Sequence, residues 1–335
     1  MLSERRTRRR LAILSALKAQ AQAVNSASLA EVLTAGGLPT SERTVRLYVR
    51  EMSAEGLTAT HGRRGATITE KGRAELGALR LLERVGMLSA RIDQMSCRMT
   101  FDLATRSGTV IVNVTLAPRE RLARWLGEIE AVFAAGYAVG ELVALAPPGS
   151  RVGDLSIPAE RVGFCTVCSV TLNGVLLKHG VPVRSRFGGL LDVRRGQPLR
   201  FAEMIEYEGT SIDPLALFIR AGMTDYLGAV RTGNGRIGAG FRELPAAGRD
   251  TAARVAERLE AIGMRTMLRL GLPGQSLLEI PVCDGQCGMI AVGGLNPAAV
   301  LEERGCRVES VALGGLLDYA ALFHYSELRR RLMRL

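Results

Sequence analysis

Two stretches of this chain repeat one another. Residues 171–192 read TLNGVLLKHGVPVRSRFGGLLD, and residues 294–318 read GLNPAAVLEERGCRVESVALGGLLD. Asn173 aligns with Asn296, Gly180 with Gly305, Gly188 with Gly314 and Asp192 with Asp318, at offsets of 123, 125, 126 and 126. Upstream, Pro148-Gly149 aligns with Pro273-Gly274 and Gly163 with Gly288, both at 125. A near-constant offset over about 90 residues means two copies of one folding unit, expected as two pseudo-symmetric lobes.

The first copy has a readable order. Thr109 to Leu116 alternates like a strand. Arg119 to Ala134 is an amphipathic helix with Leu122, Trp125, Leu126, Ile129 and Phe133 on one face. Strands follow over 139–145 and 161–170, then a helix over 172–178 and a strand from Val181. The second copy runs likewise from Arg236 to Leu317, with its long helix near 251–262. The order βαββαβ predicts a ferredoxin-like unit, with four strands and both helices on one face.

Charge separates a head from this body. Residues 1–80 hold 14 Lys and Arg against 7 Asp and Glu, so they carry +7 of the chain's formal +11. Such a head suits a polyanionic partner. Helical spacing predicts a first helix near 8–22, with Leu11, Ile13, Leu14 and Leu17 inward. Ser28 is read as the cap of a second helix, with Leu29, Val32 and Leu33 inward, ending at Gly36-Gly37. Ser41 caps a third, which runs to Ala54 with Val45, Val49 and Met52 inward. Two short strands around His61–Gly65 complete a winged helix. Arg43, Arg46 and Arg50 then form a basic stripe with Ser41 and Thr44 at its N-terminal end, and Arg63 and Arg64 sit at the wing tip. A helix enters the major groove by its N-terminal side chains, and arginines neutralise phosphate.

The expected organisation is α/β (α+β). It comprises a winged helix-turn-helix over 1–80, a first regulatory half over 81–220 and a second over 221–335, with Leu81 to Leu103 joining head to body. Small-molecule sites favour the interface of such paired lobes, and helix N-termini favour anions. The segments Ser169-Val170-Thr171-Leu172-Asn173 and Val292-Gly293-Gly294-Leu295-Asn296 each open a helix after a strand. Cys168, Ser169, Thr171, Asn173, Gly293, Gly294 and Asn296 are therefore expected effector-site residues, with Arg184 and Arg186 as the nearest cations. A bland alternative makes both asparagines N-caps and the glycines turns.

Other chemistry finds little support. Cys165, Cys168, Cys283 and Cys287 have the count for a zinc site, but residues three apart on a strand point to opposite faces. The three histidines, His61, His179 and His324, lie in no nucleophile or metal motif, and no phosphate-binding loop appears. No metal, cofactor or catalytic residue is expected, and an enzyme with a DNA-binding appendage is the alternative class. No apolar run approaches the roughly 20 residues of a membrane helix. Six Cys without a leader peptide predict reduced thiols and a cytoplasmic protein.

The segments SERTVRLYVREMSAEGLTATHGRRGATITEKG, MTFDLATRSGTVIVNV and VGFCTVCSVTLNGVLLKHGVPVRSRFGGLLDV resemble the NrpR-type nitrogen-regulatory repressors, as do FAEMIEYEGTSIDPL and GMIAVGGLNPAAVLEERG. The resemblance runs from about residue 8 to 325. It implies a repressor of nitrogen-assimilation genes that binds operator DNA as a homodimer and is released by 2-oxoglutarate. This chain holds one regulatory domain, itself duplicated, and an Ala- and Arg-rich composition unlike a methanogen's. Both features leave the regulon open.

Overall fold

A computed structural model describes residues 2–20, 22–76 and 87–335, with side chains from Arg9 onward and without that of Arg63. The chain divides into two compact units, Met1–Gly86 and Met87–Leu335.

The first unit runs α1 (Leu2–Lys18), α2 (Ser26–Ala35), α3 (Glu42–Ala54), β1 (Thr58–Thr60) and β2 (Ala66–Ile68), and residues 70–76 are helical. β1 and β2 pair antiparallel, and Val24 bridges to Ala66 as a third short strand. Ile13, Leu14, Leu17, Leu29, Leu33, Val45, Met52 and Leu57 form the core. This is the three-helix-plus-wing order. Two details differ from the sequence reading. Val32 is exposed, because the apolar face of α2 is the i, i+4 pair Leu29 and Leu33 alone. The α2 cap is Asn25, whose Oδ1 accepts from Ser28 N at 2.9 Å, so Ser28 lies inside the helix. At the wing, Gly65 sits at φ 101, and a Cβ there would lie 2.1 Å from the Val24 carbonyl oxygen. Only glycine allows that approach.

The second unit contains α4 (Leu88–Arg98), β3 (Thr109–Ala117), α5 (Leu126–Ala134), β4 (Leu142–Ala146), β5 (Val162–Val167), α6 (Val170–Lys178), β6 (Arg184–Arg194) and β7 (Gln197–Glu206). It continues with α7 (Pro214–Arg220), α8 (Tyr226–Thr232), β8 (Gly235–Pro245), α9 (Arg249–Glu260), β9 (Met267–Leu270), β10 (Gln286–Val292), α10 (Asn296–Glu303), β11 (Glu309–Asp318) and β12 (Phe323–His324). The predicted helix over 119–134 breaks at Trp125, at φ −111 and ψ 18. The segment from 195 to 234, with β7, α7 and α8, lies between the two βαββαβ series.

Both series are present, but they exchange their ends. One sheet has the order β11-β3-β5-β4-β12 and the other β9-β10-β8-β6-β7, with every pair antiparallel. The last strand of each half therefore completes the sheet of the other, in the position a ferredoxin-like fold gives its own fourth strand. The helices follow: α5 lies against α10, and α9 against α6. The chain crosses over between β5 and α6 and again between β10 and α10. The crossovers make matching bonds: Cys168 N donates to Ile111 O at 2.8 Å, and Gly293 N to Gly238 O at 2.9 Å. β3, β5 and β10 are almost wholly buried on both faces, so the alternation of 109–116 does not mark a solvent face there.

The sequence alignment of Asn173 with Asn296 does not hold in space. Residues 168–169 bridge β5 to α6, whereas 293–295 bridge β10 to α10, one residue more. Asn296 is thus the first residue of its helix, and Asn173 the fourth of its own. Neither side chain is an N-cap; the cap positions belong to Ser169 and Leu295.

Candidate functional site

The head presents a groove of about 660 Å³ between α2, α3 and the wing, lined in part by Asn25, Glu42, Arg46, Arg50, Thr60 and Gly62. Ser41 Oγ accepts from Thr44 N at 3.2 Å and fixes the start of α3, as expected. Arg43, Arg46, Arg50 and Arg64 are exposed. Arg46 forms an ion pair with Glu42 one turn earlier, which holds its guanidinium along the helix. Exposed pairs of this kind are weak, so phosphate can displace Glu42. Arg43 lies outside the groove lining, and the Arg63 side chain lies outside the described residues.

In the body, a polar cluster sits where α6 starts. Arg242 on β8 is 2% exposed. Its Nη1 donates to Ser169 O at 2.9 Å and its Nη2 to Ser169 Oγ at 2.7 Å. Its buried Nε has no hydrogen-bond partner among the described residues. Among the described residues no carboxylate forms an ion pair with it. Burial depresses its pKa, opposed by Tyr207 and Cys168 nearby. Asn173 lies four residues after Ser169, on the same face of α6. It donates to Ser185 Oγ at 3.0 Å, its buried Oδ1 is unpartnered, and Ser185 stands opposite Arg242 in the ladder.

Beside this cluster lies a small cavity of about 20 Å³. Its polar lining is Asn113, Cys168, Ser169, Tyr207 and Asp213, and Gly294 closes one side. That volume suits one water. One wall is strained: β11 bulges between Val311 and Gly315, where Leu313 takes φ 51. Asn113 Oδ1 accepts from Leu313 N at 3.2 Å in place of a ladder partner. A left-handed leucine costs on the order of 1–3 kcal/mol and persists only where its surroundings hold it. The Asp213 carboxyl, half-buried, caps α7 by accepting from Ala216 N at 2.9 Å, and burial raises its pKa.

The expected effector residues divide. Cys168, Ser169 and Gly294 line the cavity, and Asn173 joins the Arg242 cluster. Thr171 is spent on Ile111, whose N and O both meet its Oγ1 at 3.2 Å. Asn296, fully buried, donates to Tyr137 O and Gly238 O and accepts from the Tyr226 hydroxyl at 2.5 Å, leaving no donor for an anion. Gly293 belongs to the same net.

Arg184 and Arg186 are not the cations of this cluster. Arg184 pairs with Glu208, and Arg186 with Glu243 at 2.9 Å and with Pro281 O. The reason is a bulge between Phe241 and Arg242, which passes over Arg186 and leaves it with Glu243 while Arg242 takes the α6 face. The missed residues are Arg242, Tyr207 and Asp213. Arg242 had one signal: an arginine inside GRIGAGFREL, a strand otherwise fit for burial on both faces. Cys165, Cys168, Cys283 and Cys287 do not gather, and among the described residues no group of three or more His, Cys, Asp or Glu could hold a metal.

Known proteins match both units. Residues 85–324 match the family model described as NrpR regulatory domains NRD1 and 2. Residues 11–76 match the Ribonuclease R winged-helix domain. The global nitrogen regulator NrpRI of Methanosarcina mazei is 30% identical over 322 residues, 96% of this chain and 99% of that one. The global nitrogen regulator NrpR of Methanococcus maripaludis is 28% identical over 319 residues, but this chain spans only 54% of its length. A crystal structure of a nitrogen repressor-like protein from Methanococcus jannaschii shares the fold at TM-score 0.60 and 24% identity, covering 72% of this chain and 99% of that one. No helix among the described residues is long and apolar enough to cross a membrane.

Proposed function

The chain belongs to the NrpR regulatory-domain family, and from that membership we propose that it is a transcriptional repressor of nitrogen-assimilation genes, released from operator DNA by 2-oxoglutarate. The observation that carries the DNA half is the groove in which Arg46 and Arg50 of α3 meet Thr60 and Gly62 of the wing. Its size and charge suit a phosphate backbone beside a helix in the major groove.

The body is the sensor. Cys168, Ser169, Asn173 and Gly294 surround the place where effector binding is expected, and Thr171, Gly293 and Asn296 are its scaffold. The protein acts as a cytoplasmic homodimer joined through the body, because one winged helix reads few base pairs and discrimination needs two half-sites. It is a regulator, not an enzyme. Footprinting on upstream regions of nitrogen-assimilation genes tests this. We expect two protected half-sites about 10 base pairs apart centre to centre, or a multiple of that. A single protected half-site contradicts the dimer, and no protection contradicts the repressor.

A further inference from the structure

Charge is uneven within the body as well as between body and head. Residues 81–335 carry a formal +4. Two short stretches hold more than all of it. Residues 119–124 have three Arg against one Glu, and residues 327–334 have four Arg against one Glu, together +5. The rest of the body is therefore −1. Far apart in sequence, the two stretches meet in the fold. Arg119–Arg124 and Leu328–Leu332 are short helices in contact, and Arg119 Nη2 donates to Met333 O at 3.1 Å. An excess larger than the body's own net charge thus lies on one face.

Several guanidiniums of this face are held in place. Arg331 stacks over Phe323 at 4.2 Å, and Arg124 over Trp125 at 5.0 Å. Glu327 accepts from both Arg330 and Arg331, and those bonds hold its carboxyl below the usual range. One carboxylate serves two arginines, so the cluster stays under-neutralised. Arg329 and Arg334 are exposed and have no carboxylate partner among the described residues. Arg330, Arg331 and Arg334 line a groove of about 360 Å³, with Leu145, Ala321 and Phe323 as its apolar wall. Arg330 and Arg334 are four residues apart and share one side of the chain.

A polyanion is attracted to this face and to no other part of a body that is otherwise slightly acidic. Arginine's planar fork matches phosphate oxygens, and contacts of that kind position a protein on a duplex without reading its sequence. The basic groove of the head is read as a DNA surface, and one ligand satisfies both.

We propose that this arginine face of the body is a second, sequence-independent contact to duplex DNA, in which Arg330 and Arg334 neutralise backbone phosphates while the head reads the operator. The inference rests on reading the head as DNA-binding and adds a surface that the head does not supply.

Fluorescence anisotropy of the full-length chain across a salt series, on its own upstream duplex and on a scrambled one, tests this. Three double variants are compared with wild type: Arg330→Gln/Arg334→Gln, Arg330→Lys/Arg334→Lys, and Arg194→Gln/Arg220→Gln, which removes the same charge from exposed positions on other elements. The first should lower the slope of log K against log salt by about 1.8, about 0.9 for each lost contact, on both duplexes alike. The lysine pair should keep the wild-type slope, because an ammonium also neutralises phosphate. The third variant should keep it too. An unchanged slope in Arg330→Gln/Arg334→Gln overturns the second surface and leaves these arginines to an acidic protein, while the head reading stands on its own variants, Arg50→Ala and Arg64→Ala. An equal loss in Arg194→Gln/Arg220→Gln overturns it as well, since net charge alone would then explain the effect. A loss confined to the upstream duplex, or a lysine pair as weak as the glutamine pair, contradicts backbone contact. If wild type binds neither duplex, the head reading falls and takes this inference with it.

Discussion

The hydroxyl of Thr166 donates to the carbonyl oxygen of Gly294 at 2.6 Å, with both residues buried. Thr166 is the penultimate residue of the strand that precedes the first crossover, and Gly294 lies within the second. A Cβ at Gly294 would stand 2.3 Å from Asn113 Nδ2 and 2.6 Å from Val167 O. The two crossovers thus touch at the centre of the body, and the exchange of ends is closed by a bond between the halves.

The exchange predicts that the halves are inseparable. Residues 87–220 alone would leave β3 without β11 and α5 without α10, and residues 221–335 would leave β8 without β6. Each piece expressed alone should lack a cooperative thermal transition, and mixing the two should restore one. A cooperative transition in either isolated piece would contradict the pairing.

Asn296→Ala removes three bonds and strands the Tyr137 carbonyl and the proton of the Tyr226 hydroxyl, while Gly238 O keeps its bond from Gly293 N. Each unsatisfied buried group costs about 1–3 kcal/mol, so the variant should lose on the order of 2 kcal/mol or more in urea unfolding. A loss below about 1 kcal/mol would mean that the net is not structural.

Thiol chemistry should sort the six cysteines. Burial pushes Cys165 up to about 12 and Cys168 up to about 11 from an ordinary 9.0. Cys97 and Cys283 are exposed, and the other four are buried. A thiol reagent at neutral pH should label Cys97 and Cys283 quickly and the rest only on unfolding, read by mass spectrometry. The raised values also set a sign. The folded state holds these protons more tightly than the unfolded chain, so their contribution is intact below pH about 9 and is lost as pH climbs toward 11. Rapid native labelling of Cys168 would show that the cavity opens without a ligand.

On the head, Arg50→Ala and Arg64→Ala should weaken binding to every sequence alike. Each lost phosphate contact should lower the slope of log K against log salt by about 0.9. Arg46→Ala should relax sequence preference, costing about 1–3 kcal/mol if the side chain reads a base. Salt slopes identical to wild type in both phosphate variants would remove α3 and the wing from the interface.

Local rules made much of this fold legible. Ser41 before an i, i+4, i+7 apolar series specified α3 and its cap, and the repeated Gly-Gly-Leu-Leu-Asp marked the two halves. Val32 misled because hydrophobicity does not say which side of a short helix faces the core. The exchange was not legible, because βαββαβ written twice is compatible with either pairing of the last strands. Asn173 and Asn296 looked equivalent because each follows a leucine where a helix opens after a strand, although their offset of 123, against 125 for the flanking glycines, sets them two residues apart. Arg242 escaped notice because its importance lies in lacking a carboxylate partner. Arg186 looked better until the bulge at Phe241–Arg242 placed it beside Glu243.

In the proposed repressor a DNA-bound head is governed by a small anion in the body. The most direct measurement is fluorescence anisotropy of the full-length chain on its own upstream DNA, at fixed salt, with and without millimolar 2-oxoglutarate. The prediction is tight binding without the metabolite and a drop of about 10-fold or more with it, equivalent to 1.4 kcal/mol of coupling or greater. Binding of equal strength in both conditions, in a protein shown by calorimetry to hold 2-oxoglutarate, would contradict it.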